Sequence, residues 1–259
     1  MFHASLYAGF VDQTNPNPNH IQSRSVVKQN LLIYPSKSMY IHIYHICFNS
    51  SIVAIIFTAY KRALMHRKRS KQLFTNDIAL ITLDEPFDIS KRIINPVCLP
   101  HKLNYIDVKW NYQQFIISGW GEYDKNTHES DTLLSAVVQK LGNIYCHQLK
   151  YPKRPHAANL ENDHKGFCVL GKMRKESVCV GDSGGPAIWE DPKYNNRAYL
   201  MGIASEKGGD SVCGKHPVLP STFSSVPGEV MEWVLKHGGK DVDDCLVKNS
   251  FQYSYDKVY

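Results

Sequence analysis

The chain has 259 residues, of which 43% are hydrophobic, and this is enough apolar material for one large domain or two small ones. The net charge of +6 is modest, and much of the excess lies at residues 61–71. In the absence of a nucleic-acid-binding motif, such a basic run indicates a solvated loop, so specific nucleic-acid binding is not expected. Seven cysteines without a Cys-x-x-Cys pair argue against a zinc site and favour disulfides in an oxidising compartment.

The beginning of the chain carries short β-prone runs. Residues 5–35 contain two of them, separated by a turn rich in Pro and Asn, and they predict a hairpin. The first six residues lack the basic start and the long apolar run of a secretory signal. The apolar run at 52–59 is too short to cross a bilayer, so no membrane association is predicted.

Residues 36–61 interrupt this β-rich region. They are rich in Ile, Tyr and Ser, and we interpret them as an insertion or as an artefact of the gene model. The next informative stretch is Phe74–Leu83, where Asp77 stands directly before an apolar run that predicts a buried strand. Taken alone, Asn76-Asp77 is typical of a turn that caps a strand.

A strand and then a helix are predicted further along the chain. Residues 115–121 form an apolar run that ends in Gly-Trp-Gly, which favours a strand with close backbone packing at its end. Near the C-terminus, Ser225 is the predicted N-cap of a helix with Pro227 in its first turn and its end at Gly238. Val230 and its helical neighbours Trp233 and Val234 share one face.

The stretch that carries chemistry is Cys179–Pro186, which reads Cys-Val-Gly-Asp-Ser-Gly-Gly-Pro. A serine hydroxyl becomes a useful nucleophile only when a base takes its proton, and the oxyanion that it creates needs donors already aimed at it. Gly181 allows its own N–H and that of Ser183 to point into one small hole, while Gly184 and Gly185 admit a substrate backbone. The alternative is a surface loop without chemistry.

These segments together resemble the trypsin/chymotrypsin family of serine proteases. The resemblance rests on the serine loop, on the Asn-Asp-Ile-Ala-Leu run that begins at Asn76, and on the spacing of the cysteines. It implies an all-β fold of two antiparallel six-stranded-type barrels, the first incomplete, with a C-terminal helix. The implied division is 1–110 for the partial first barrel with its insertion at about 36–61, 111–238 for the second barrel and helix, and 239–259 for a polar tail.

The resemblance also assigns catalytic roles. Ser183 would be the nucleophile, Asp77 the acid that orients a histidine, and the N–H groups of Gly181 and Ser183 the oxyanion hole. The Ala-His-Cys motif that usually carries the histidine does not occur in the chain; His45 is the candidate for a displaced base, and otherwise the histidine belongs upstream of this sequence. Asp182 in this family pairs with a newly cleaved N-terminus.

The substrate pocket departs from the family pattern. Ser177 stands where trypsins carry aspartate, so the floor lacks a fixed negative charge and looks chymotrypsin- or elastase-like; Glu176 would restore a basic preference if the register were shifted by one. Of the other pocket positions, Ser205 matches the family pattern, whereas Glu206 stands in place of a tryptophan. Lys207 and Ser221 each stand in place of a glycine. These three replacements weaken any assignment of specificity.

Two pairings follow from the resemblance. The implied disulfides are Cys146–Cys168 and Cys179–Cys213, which leave three cysteines over, namely Cys47, Cys98 and Cys245. A further family disulfide is replaced at both ends by aromatic residues, so Phe115 and Trp189 are predicted to pack against each other.

The predicted function is therefore that of a secreted serine endopeptidase that forms an acyl-enzyme, needs no metal or cofactor, and meets protein or peptide substrates and protease inhibitors. The alternative is a non-catalytic homologue that acts as a binding or regulatory module. With either function, the basic run at 61–71 is a candidate for binding a polyanion.

Overall fold

The structure is a computed structural model of the chain. The structure describes residues 5–8, 12–15, 17–19, 21–31, 52–55, 78–83, 85, 87–88, 97–100, 114–124, 126, 128–150, 166–192, 196–206, 213 and 219–238. Among them, neither α-helix has the length or the apolar character to span a bilayer.

The first part of the chain forms an open sheet. Its strands are β1 (Ser5–Ala8), β2 (Gln22–Leu31), β3 (Ile52–Ile55) and β4 (Ala79–Leu83), in the order β1-β2-β4-β3 with antiparallel neighbours. The predicted hairpin is present as β1 and β2, whose register pairs Ser5 with Ser25 and Ala8 with Gln22.

Strand β3 comes from the segment that we interpret as an insertion. Its Ile52 pairs with Thr82 and its Ile55 with Leu80, both on β4. The end of the interpreted insertion therefore contributes to the sheet. The predicted boundary near residue 110 lies outside the described residues and stays a prediction.

The second part of the chain is a closed antiparallel barrel with the strand order β10-β7-β6-β5-β8-β9. The helices are α1 (Asn143–Lys150), between β6 and β7, and α2 (Glu229–Gly238) after the last strand. The strands are β5 (Gln114–Gly119), β6 (Leu134–Leu141), β7 (Gly166–Gly171), β8 (Pro186–Asp191), β9 (Arg197–Glu206) and β10 (Ser221–Ser225).

Alternating side chains fill the barrel. Along β5, Phe115 and Ile117 are buried, as the period of two in a half-buried strand requires. The Phe167 ring lies between those of Phe115 and Phe223, with ring centroids 5.2 and 5.7 Å away. These rings belong to one buried cluster of apolar side chains.

The predicted aromatic pair has both members at this core. Trp189 packs against the cluster that contains Phe115. The antiparallel pairing of Ile116 with Ile188 places Phe115 on β5 and Trp189 on β8 next to this pair, on the same side of it along the two strands. The ring neighbour of Trp189 is Tyr199, with centroids 5.9 Å apart, whereas Phe115 faces Phe167.

Helix α2 closes a second apolar cluster. Val230, Met231 and Val234 are buried there, and Trp233 is packed against it, as the helical spacing predicts. The predicted start of the helix is wrong: Ser225 is the last residue of β10, where it pairs with Gly202, and the helix begins only at Glu229. Pro227 therefore lies before the helix and not in its first turn.

The expected all-β fold with a C-terminal helix is confirmed. The described residues form one closed barrel and one open four-stranded sheet, and the partial first barrel stays a prediction.

Candidate active site

The serine loop joins β7 to β8 and is anchored to the barrel by backbone hydrogen bonds. Gly184 N–H donates to the carbonyl oxygen of Ala204 on β9 at 2.8 Å, and Ala204 N–H donates to that of Gly185 at 2.8 Å. Within the loop, Gly185 N–H donates to the Asp182 carbonyl at 2.9 Å. Ser183 therefore lies, half-buried, in a tight turn that β9 holds in place.

The conformation of this turn requires glycine before the serine. Gly181 has a φ of 92°, a left-handed conformation that other L-residues rarely adopt. A Cβ added there would also lie 2.8 Å from the Cα of Gly121. Sequence reasoning assigned Gly181 to the oxyanion hole, and its conformation is compatible with that role.

The Asp182 side chain contacts the backbone just after β5 and the start of the serine loop. Its Oδ1 accepts a hydrogen bond from Gly121 N–H at 2.8 Å, and its Oδ2 accepts one from Cys179 N–H at 2.8 Å. Hydrogen bonds to a carboxylate are stronger than neutral ones, so this side chain braces the turn from both sides.

The space around the Asp182 side chain is provided by the glycines of the Gly-Trp-Gly motif at the end of β5. The sequence indicated close backbone packing at this motif but not its contact with Asp182. A Cβ on Gly119 would overlap Oδ1 of Asp182, and one on Gly121 would lie 2.6 Å from it. These glycines therefore make space for a side chain about 60 residues later in the chain.

Two disulfides stabilise this region, and they are the pairs that the resemblance implies. Cys179, at the start of the turn, is bonded to Cys213, and Cys146 on α1 is bonded to Cys168 on β7. Of the leftover cysteines, Cys98 is a half-buried free thiol whose pKa is raised by burial, with Arg197 acting in the opposite direction. Cys47 and Cys245 lie outside the described residues.

Ser177 and Ser221 meet at the expected pocket floor. Their hydroxyl groups are hydrogen-bonded to each other, the Ser177 hydroxyl also donates to the Leu219 carbonyl at 3.2 Å, and the Ser221 oxygen accepts from Val178 N–H at 3.3 Å. Ser221 is fully buried. The segment before the serine loop and the start of β10 are thus joined by uncharged hydroxyl groups.

Three other predicted pocket residues are less fully described. Ser205 lies on β9, half-buried, one residue after Ala204. Glu206 ends the same strand and pairs through its backbone with Thr222, but its side chain, like all of Lys207, is outside the described residues.

Asp77 and His45, the predicted triad partners of Ser183, also lie outside the described residues. The residue after Asp77 is described: Ile78 is 2% exposed and belongs to the cluster that contains Ile203 of β9. Because Ile203 precedes the residue that anchors the serine loop, the chain at Ile78 is close to that part of the barrel.

A cavity of about 440 Å³ lies beside Asp182. Its walls combine apolar side chains with charged groups: Ile117 and Leu134 line it together with the three carboxylates of Glu122, Glu176 and Asp182 and the single cation of Lys175. Such a lining suits a cationic group attached to a small apolar side chain.

One group of potential metal-ligating atoms occurs among the described residues, at Glu122, Cys179 and Cys213. The two cysteines are bonded to each other, so they present no thiolates, and a single carboxylate does not form a metal site. This group does not fit a bound metal.

A closed antiparallel barrel, a C-terminal helix and a serine in a glycine-flanked turn at the barrel end are together the features of a β-barrel serine protease. The family model described as Trypsin matches residues 54–234 of this chain. The chain therefore belongs to the trypsin family, and by family it is a serine endopeptidase domain.

Relatives with known names agree with this assignment. Complement factor I of Mus musculus is 30% identical over 193 residues, which are 70% of this chain and 27% of that protein. The proclotting enzyme of Tachypleus tridentatus is 32% identical over 168 residues, and the CLIP domain-containing serine protease HP8 of Bombyx mori is 30% identical over 162; these cover 63% and 62% of this chain and 40% of each relative. The chain thus spans less than half the length of these relatives.

Proposed function

We propose that this domain is a secreted serine endopeptidase that cleaves protein or peptide substrates through an acyl-enzyme on Ser183. The observation that carries the proposal is the braced turn around that serine: a positive φ at Gly181, the carboxylate of Asp182 held by two backbone N–H groups, and the anchoring of Gly184 on β9.

In the proposed reaction, the Ser183 oxygen attacks the carbonyl carbon while a histidine accepts the hydroxyl proton. The N–H groups of Gly181 and Ser183 stabilise the oxyanion, and the histidine then gives its proton to the leaving amine. A water molecule, deprotonated by the same base, releases the acyl group. Asp77 is the proposed acid partner of that histidine, because the buried Ile78 beside it belongs to the same apolar cluster as Ile203 of the strand that anchors the serine loop.

The histidine itself is proposed to be His45. Substitution of His45 by alanine should then abolish labelling of the chain.

The proposed specificity follows from the paired hydroxyl groups of Ser177 and Ser221. An uncharged floor offers no negative charge to a lysine or arginine side chain, and the buried Ser221 side chain occupies space that glycine would leave open. We therefore assign small uncharged residues to the position before the scissile bond. Ser205, Glu206 and Lys207 are the proposed remaining pocket residues.

The cavity beside Asp182 supports control by a newly cleaved N-terminus. A terminal ammonium group with a small apolar side chain fits the carboxylates and apolar walls of this space. We further propose that domain boundaries lie near residues 110 and 238 and that protease inhibitors act on this domain. We also propose that residues 61–71, which lie outside the described residues, bind a polyanion.

The second candidate function is a non-catalytic binding module. It is favoured by Glu206 and Lys207, which place charged residues where the family usually carries Trp and Gly at the mouth of the pocket.

Fluorophosphonate labelling of the purified chain tests the proposal, since such a probe reacts with an activated serine. We expect labelling that Ser183→Ala abolishes. The matched control is Ser25→Ala on β2, which removes a serine hydroxyl outside the serine loop and outside the closed barrel and should leave labelling intact. A folded chain that is not labelled, or that is labelled equally as Ser183→Ala, would contradict the enzymatic function in favour of the binding module.

A further inference from the structure

Residues 121–124 and 128–130 form two antiparallel arms, called the hairpin below, that lie directly against the serine loop. The two arms are joined by the bridge between Glu122 and Glu129 and by a hydrogen bond from Tyr123 N–H to the His128 carbonyl at 3.1 Å. Glu122 N–H donates to the carbonyl oxygen of Val180 at 2.8 Å, so the hairpin is fixed to the residues that precede Ser183.

The hairpin contacts the residues that precede Ser183 in the chain, and β9 contacts the residues that follow it. β9 binds Gly184 and Gly185, which follow Ser183, whereas the hairpin binds Val180 and Asp182, which precede it. β9 carries Ser205, one of the proposed pocket residues for the position before the scissile bond, so the substrate residues after that bond run along the hairpin on the other side.

The two glutamates of the hairpin bridge differ in where their carboxylates lie. Glu122 is half-buried and its Oε2 lies 3.3 Å from the sulfur of Cys213, so it faces inward. Glu129 is exposed, and its Oε1 lies 3.6 Å from where a Cβ on Gly181 would be. A negative charge is thus held beside the proposed oxyanion glycine, in a chain whose net charge is +6.

An exposed apolar side chain lies next to this charge. Val180, directly before Gly181, is 44% exposed although it is aliphatic. Arginine and lysine have an apolar stem that can cover such a side chain while the charged end reaches a carboxylate.

We infer that Glu129 and Val180 form the contact for the substrate residue that follows the scissile bond, and that this contact selects arginine or lysine there. The inference rests on the proposed function for the direction of the substrate, but the contact itself requires no catalysis. Its test can therefore use a protein that cannot cleave.

The experiment measures binding of two fluorescein-labelled peptides to the Ser183→Ala protein. The peptides are Ala-Ala-Pro-Ala-Arg-Ala-Ala and the same sequence with Glu in place of Arg. Exposed ion pairs have modest strength, so the Arg peptide should bind about two- to five-fold more tightly at low salt. At roughly 1 M salt the preference should disappear, because the screening length falls to about 3 Å.

Variants added to the Ser183→Ala protein locate the effect. Glu129→Gln should remove the preference and Glu129→Lys should reverse it. Glu190→Gln is the matched control, since Glu190 is an exposed glutamate on β8 outside the serine loop and the hairpin, and it should leave the preference unchanged.

An undiminished preference in Glu129→Gln, equal binding of both peptides, or no binding of either at about 1 mM would overturn the inference. Fluorophosphonate labelling of the wild-type chain reports separately on the proposed function. Selection that depends on Glu129 in a chain that is not labelled would refute catalysis and leave the contact standing, while a labelled chain without selection would refute only the contact.

Discussion

The packing of Gly119 against Asp182 makes the substitution Gly119→Ala an informative perturbation. The added methyl group would overlap Oδ1 of Asp182, the atom that accepts the hydrogen bond from Gly121 N–H at 2.8 Å. The carboxylate must move, and at least this hydrogen bond is lost. Because a hydrogen bond to a charged group contributes about 1.5–3 kcal/mol, we expect the free energy of unfolding to fall by about that amount.

The assay is equilibrium unfolding in urea with the disulfides intact, and Gly142→Ala is the matched control. A Cβ on Gly142 meets nothing within 4 Å, so this variant carries the same change in unfolded-chain entropy without the overlap. We expect Gly142→Ala to remain within about 0.5 kcal/mol of the wild type. Gly119→Ala should also reduce fluorophosphonate labelling of Ser183, since Asp182 directly precedes that serine.

A double-mutant cycle identifies the cause of the loss. In an Asp182→Ala background the overlapping atoms are gone, so Gly119→Ala should cost less than about 0.5 kcal/mol. The reasoning is refuted if Gly119→Ala is as stable as Gly142→Ala, or if its cost is undiminished when Asp182 is already alanine.

Two further predictions concern the core and the pH dependence. Phe167→Ala, which removes the ring between Phe115 and Phe223, should lower the free energy of unfolding by about 3–5 kcal/mol; a loss below 1 kcal/mol in urea unfolding would show that the ring does not lie in the core. The Asp12 carboxylate accepts hydrogen bonds from the Thr14 hydroxyl and from the backbone N–H groups of Asn15 and Thr14, and these hold its pKa below the ordinary 3.8. Its contribution to stability is present above the ordinary value and is lost as the pH falls through the lowered pKa. Thr14→Ala should raise the pKa towards 3.8 in an NMR titration of the carboxyl carbon, and an unchanged midpoint would contradict the role of that hydroxyl.

Local pattern predicted the elements that depend on near neighbours in the chain. The alternation at Phe115 and Ile117 and the helical spacing of Val230 and Val234 report directly which side chains are buried. The resemblance supplied the pairing of the cysteines, which spacing alone would have left open.

Long-range contacts account for what the sequence did not predict. Ser225 and Pro227 are good residues for the start of a helix, but pairing of Ser225 with Gly202 extends β10 through this position and delays the helix to Glu229. Likewise, the hydroxyl contact of Ser177 with Ser221 joins residues 44 apart in sequence, so no local rule could have indicated it.

The strand order of the barrel has a consequence for how the serine is positioned. Strands β5, β6 and β7 form one three-stranded meander and β8, β9 and β10 form another, and the serine loop is the connection between them. Cys179–Cys213 ties the loop to the second meander, while Gly119 and Gly121, at the end of β5, provide the space and a hydrogen bond for Asp182 from the first. A chain cut between β7 and Cys179 would therefore leave Ser183 covalently attached to one half and dependent on the other for its alignment. Reassociation of two such fragments would restore the serine geometry only when the seams β5–β8 and β7–β10 both close, which makes this barrel a natural scaffold for a split-protein reporter.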